Sequence, residues 1–157
     1  MKKLSLMVIL SALTLVFSAS PASFAKDAPE DKYTTPTDAE FSQIQQILKD
    51  TGIQTDNLQK DYGVIVNEPS EKVGIISDIP DKRDDWSHVS FNSYYVDLNS
   101  DTLIAEIRFE FKQNADGTSE SEYQNVTTGG KYVVKLDKEG NVIDEKTSGD
   151  ISILWKY

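Results

Sequence analysis

Asp78 to His88, reading Asp-Ile-Pro-Asp-Lys-Arg-Asp-Asp-Trp-Ser-His, is the one stretch that crowds together carboxylates, bases, an indole and the chain's only histidine. An imidazole titrates near neutral pH and, once an acceptor orients it, serves as a general base. His88 oriented by Asp84 or Asp85 fits that role, Trp86 supplies a wall for a ligand, and Ser87 is a weak nucleophile candidate. The same residues also fit a charged surface loop leading into a strand, with Trp86 on the core edge and His88 partly exposed. Residues adjacent in a strand point to opposite faces, so Ser87 and His88 form no triad by spacing alone. No nucleophile-elbow motif strengthens the catalytic reading.

Two other clusters invite a metal and fail on spacing. Asp97-Leu98-Asn99-Ser100-Asp101 begins like a calcium loop, where alternating oxygen ligands wrap a hard cation. The sixth position, which needs Gly for the sharp turn, is Thr102, and the twelfth, which needs a bidentate Glu, is Arg108. A hairpin turn is expected there, and the same holds for Asp137, Glu139 and Asn141. No metal and no cofactor is therefore expected. Asn125-Val126-Thr127 matches a glycosylation acceptor and is assigned no role. The aromatic residues lie mostly in expected strands and read as core. Tyr94 and Tyr95 are consecutive and project to opposite faces, which makes at least one an expected exposed contact, alongside Trp86.

These side chains need a scaffold, and the chain codes for a small one. Thr37-Asp38-Ala39-Glu40 is a capping box, and Phe41, Ile44, Ile47 and Leu48 form one apolar stripe that ends before Gly52. From Tyr62 the period changes to two. Tyr62–Val66 and Val73–Ile76 read as strands joined through Asn67–Ser70, and Trp86–Leu98 and Thr102–Lys112 as a longer pair. In the latter, Leu103, Ala105, Ile107, Phe109 and Phe111 share one face. Its partner changes its apolar parity near Ser93-Tyr94, which calls for a bulge or burial on both faces. A polar strand centred on Tyr123 resembles a sheet edge, and Tyr132–Leu136, Val142-Ile143 and Ile151–Trp155 follow after tight turns.

Short hairpins force antiparallel neighbours, so the expected fold class is α+β: one N-terminal helix packed on a curved, mostly antiparallel β-meander of about six strands. The layout is similar to cystatin-like and nuclear-transport-factor-like folds, an analogy of architecture that implies no activity.

Before this domain stands a leader. Met1-Lys2-Lys3, an apolar run from Leu4 to Phe17 and the small residues Ser23 and Ala25 have the form of an export signal cleaved between Ala25 and Lys26. The run is shorter than the roughly 20 apolar residues of a membrane span. The expected organisation is a signal peptide over 1–25, a flexible tail over 26–36 and one globular domain over 37–157. The leader holds two of the 16 basic residues and none of the 26 acidic ones, so its removal takes the formal charge from −10 to −12. That charge disfavours nucleic acid and anionic membrane surfaces as partners. With no cysteine, thiol catalysis and cysteine-ligated metal sites are excluded.

The sequence thus predicts a secreted, extracellular protein, monomeric or weakly oligomeric, acting as a non-enzymatic binding or inhibitory module for an extracellular protein or small ligand. A small secreted hydrolase or isomerase using His88 and a nearby Asp is the alternative. An extracellular matrix or assembly component, associating through the edge strand around Tyr123, is the third.

Overall fold

A computed structural model describes residues 32–80 and 87–157. The leader over 1–25, most of the expected tail, and Asp84, Asp85 and Trp86 lie outside the described residues.

The chain forms one helix and an open antiparallel sheet of eight strands in strict sequence order. In chain order these are β1 (Tyr33–Thr34), α1 (Asp38–Asp50), β2 (Gly63–Glu68), β3 (Glu71–Ser77), β4 (His88–Asp97), β5 (Thr102–Gln113), β6 (Ser119–Asn125), β7 (Lys131–Leu136) and β8 (Val142–Ser148). A 3-10 turn at Lys60–Tyr62 precedes β2, and a second covers Ser152–Trp155. The count exceeds the expected six for two reasons. Tyr33 and Thr34 pair with Val66 and Ile65, and β8 runs well beyond Val142-Ile143.

Helix α1 starts and stops as its residues dictate. The Thr37 amide donates to Glu40 Oε2 at 2.8 Å, and the Glu40 amide donates to Thr37 Oγ1 at 3.2 Å, closing the capping box. At the other end Gly52 adopts φ +84°, and the amides of Gly52 and Ile53 donate back to Lys49 and Leu48. The stripe of Ile44, Ile47 and Leu48 is buried against Ile65, Ile76, Tyr94, Val96 and Leu98. Gly74 lies directly beneath Ile44, where the missing side chain lets the helix sit close to β3.

The opposite face carries a second core. Tyr95, Ala105, Ile107, Phe109, Tyr123, Tyr132 and Val134 are buried beneath Ile151, Ile153 and Leu154. Phe91, Phe109, Tyr123 and Tyr132 stand directly opposite one another on four successive strands. Their ring centroids are 4.8, 5.0 and 5.9 Å apart, and Trp155 closes the row edge-on at 5.1 Å from Tyr132. Such ring pairs add about 0.5–1.5 kcal/mol each beyond their buried area. The segment after β8 crosses back over this face, tied at one end by Thr128 Oγ1 donating to Asp150 O (2.6 Å). At the other end Lys156 Nζ and Tyr157 OH both reach Glu71 Oε1 at 2.8 Å.

Three local expectations are corrected. The closing segment is not a strand. Its apolar residues cap the sheet as a 3-10 turn, because β8 already supplies the edge and the aromatic face needs a cover. The Tyr123 strand is not an edge: β6 lies between β5 and β7, and its polar look comes from the face opposite Ser121, Tyr123 and Asn125. Leu103 does not share a face with Ala105. The register steps from Tyr95↔Ala105 to Val96↔Leu103, so Ile104 is an inserted residue and Leu103 turns toward the helix.

Candidate functional site

The parity change in β4 resolves into burial on both faces. Odd positions Phe91 and Tyr95 face the aromatic core, while even positions Tyr94 and Val96 face the helix. Tyr94 and Tyr95 therefore project to opposite sides as expected, yet neither is the exposed contact the sequence suggested. They are only 5% and 9% exposed. Burial pushes both phenols up to about 12; for Tyr94 the charges of Asp78 and Glu106 add to it.

Along the helix-side face of β4 the chemistry grades from apolar to charged. Under α1 stand Val96 and Tyr94, beyond them Asn92, and beyond those Ser90 and His88. Asp78, just past the end of β3, is the hub of the middle zone. Its carboxylate accepts from the Asn92 amide at 2.5 Å, from Asn92 Nδ2 at 3.0 Å and, more loosely, from Tyr94 OH at 3.4 Å. The Asp78 amide donates in turn to Asn92 O at 3.0 Å. Asp78 is thus committed to holding the chain where it leaves the sheet.

His88 is placed at the uncovered end of that face. Its side chain is 58% exposed, and Nε2 lies 2.8 Å from Glu110 Oε1, which also receives Lys112 Nζ at 3.0 Å. Lys112 foremost, with His88 second, holds the Glu110 carboxyl below the usual carboxylate range. The acid beside His88 among the described residues is therefore Glu110, two strand positions away across the β4–β5 pair, instead of a neighbour in sequence. The dyad stands on an open sheet surface with Lys131–Glu122 and Lys135–Glu120 pairs further along it. Exposed pairs of this kind contribute about 0–1 kcal/mol each.

A concave site does exist, a short way along the same sheet end. A cleft of about 310 Å³ is lined by Asp56, Asn57 and Gln59 from the loop after α1, and by Asp78, Ile79 and Pro80. Leu58 and Ile79 are buried at its flanks, and Leu58 joins its wall to the helix-side core. The Leu58 amide donates to Thr55 O (3.1 Å), while the buried Thr55 hydroxyl has no hydrogen-bond partner among the described residues. Because Asp78 is occupied internally, Asp56, an exposed carboxylate, carries the cleft's negative charge toward solvent. Asp56, Asn57 and Gln59 were not singled out by the sequence. Their local signal is only that of a polar turn, and their proximity to Asp78 arises from the way α1 docks on β3.

The two suspected cation loops are turns. Asp97 Oδ1 accepts from the amides of Asn99 (2.8 Å) and Ser100 (3.3 Å), with Asp101 at φ 54°. Asp137 Oδ1 accepts from Glu139 (3.0 Å) and Asn141 (2.8 Å) in the same manner. Among the described residues no three His, Asp or Glu side chains converge as a metal site. Compared with known proteins, the chain matches no family model, no curated protein and no solved structure.

Proposed function

We propose that the mature chain, from Lys26, is an exported non-enzymatic binding module that holds a cationic ligand in the cleft between Asp56–Gln59 and Asp78–Pro80. The preferred ligand is a Lys- or Arg-bearing segment of an extracellular protein. The observation that carries this reading is the cleft's lining: an exposed carboxylate and two carboxamides on walls flanked by buried Leu58 and Ile79. Carboxylate and carboxamide oxygens are acceptors suited to ammonium and guanidinium groups, and the volume lies at the lower end of the range for ligand sites. The formal charge of −12 on the mature chain attracts such a ligand over a distance of about a Debye length.

Isothermal titration of the mature protein with hexalysine tests it. Binding that weakens with added salt and is lost in Asp56→Asn supports the proposal. Absence of binding, or equal binding by the variant, refutes it, as does turnover in a hydrolase screen that disappears in His88→Ala.

The contact between His88 and Glu110 favours a second reading, a small exported hydrolase or isomerase with His88 as general base. It ranks below the first because the dyad lies on an open sheet face, where water competes with any substrate.

A further inference from the structure

Among the described residues strand β8 is the terminal strand of the sheet, hydrogen-bonded to β7 alone. All its side chains but Asp144 are exposed, including Ile143 at 59% and Val142 at 44%. Its free edge has a definite hydrogen-bonding phase. Asn125 N–H donates to Gly130 O and Val126 N–H to Glu106 O, so odd-numbered amides of β6 face β7 and even-numbered ones face β5. Carried through Tyr123↔Tyr132 and Tyr132↔Thr147, the alternation leaves the amides and carbonyls of Glu145 and Thr147 on the open side.

We propose that β8 is a self-association site, pairing antiparallel with β8 of a second copy in the register centred on Glu145. A two-fold axis normal to the sheet keeps each residue on its own face, so opposite positions must share parity. The Glu145-centred register meets that condition and spans the whole strand. It sets Asp144 of each copy opposite Lys146 of the other, twice, in the closely spaced pairs where side chains approach most. It also brings exposed Ile143 beside Thr147 of the second copy. Within one copy Asp144 and Lys146 already lie 3.1 Å apart, so the dimer gathers four alternating charges on one face. Opposing this, Glu145 meets its own copy on the other face, and both subunits are acidic. The edge also bears Lys146 and a register irregularity at Lys135/Leu136, devices that restrain edge pairing. The association is therefore reversible and concentration-dependent.

Sedimentation velocity of the mature protein over a wide concentration range tests this, with circular dichroism verifying the fold of each variant. A reversible dimer is expected. Asp144→Lys and Lys146→Asp singly convert both cross-strand pairs to repulsion and should weaken it by roughly tenfold or more. The double charge exchange should restore it, and Glu145→Gln should tighten it. A protein monomeric at every concentration, or a dimer indifferent to the single reversals, overturns the proposal. Should either single variant fail to fold, Glu145→Gln decides: tightening supports the register and no change refutes it.

Discussion

Replacing Asp78 with Ala removes the one carboxylate that ties the exit of β3 to β4. The backbone amide of Asn92 loses an acceptor at 2.5 Å, Asn92 Nδ2 one at 3.0 Å, and Tyr94 OH a weak one at 3.4 Å. A hydrogen bond to a charged group contributes about 1.5–3 kcal/mol. Asp78 is half-buried, so water reaches part of the vacated site, and the lower half of that range applies: a loss of about 2 kcal/mol. Asp78→Asn keeps an acceptor for the Asn92 amide and should cost about 1 kcal/mol or less. Urea unfolding should show a lower midpoint with an unchanged slope, because the extent of surface exposed is the same. A second readout is independent of stability. The Tyr94 phenol, pushed up to about 12 chiefly by burial and then by Asp78 and Glu106, should titrate lower in Asp78→Ala yet stay above the ordinary 10.0, since burial remains. Ring-carbon resonances of Tyr94 report it directly. Equal cost for the Ala and Asn variants, or an unmoved Tyr94 titration, would refute the hub role.

Two further outcomes follow from packing and from the buried phenols. In Gly74→Ala the new Cβ would stand 2.6 Å from Ile44 Cδ1 and 3.0 Å from Cγ1, on a side chain with no exposed surface to yield into. Overpacking of about 1–3 kcal/mol, offset by about 0.4–1 kcal/mol from a stiffer unfolded chain, leaves a net loss. Ile44→Val deletes the clashing methyl, so the double variant should cost less than the sum of the singles in urea midpoints; strict additivity contradicts the contact. Alkaline pH acts on Tyr95, whose folded phenol holds its proton to about 12 against 10.0 unfolded. The unfolded chain then gives up protons first, so stability falls as pH rises from near 10 toward 12, by up to about 1.4 kcal/mol per pH unit for each such phenol. Tyr95→Phe should flatten that decline, and an unchanged slope would show that burial of this hydroxyl plays no part.

The elements whose signals are local were legible. The capping box at Thr37–Glu40 and the stripe Ile44, Ile47 and Leu48 each require only a few consecutive residues, and both are present. Asn114–Gly117 and Asp137–Gly140 turn the chain because Asx and Gly chemistry acts within four residues. What escaped depends on partners distant in sequence. Ile151 to Trp155 has the apolar content of a strand, and only the aromatic row on β4 to β7, which would otherwise face water, makes it a cap instead. Leu103 changes face through one inserted residue, which no alternation pattern within β5 displays. At the site, His88 was singled out by its rarity, whereas Glu110 emerges from a cross-strand register. The cleft residues Asp56, Asn57 and Gln59 needed the helix to be docked before their position relative to Asp78 had meaning.

The crossing of Ile151–Leu154 over the sheet also sets an order in time. A chain emerging amino-terminus first has every residue of the helix-side core in hand once Leu103 is out. The aromatic face of the same strands stays without its lid until Leu154 has followed. Half of a single sheet is then able to consolidate while its reverse side waits wet, with Phe109, Tyr123 and Tyr132 open to solvent or to chaperones. Since β4 and β5 belong to both cores, full rigidity of the first half is withheld until the last segment arrives. In a chain built this way the second core can be closed only by its last residues.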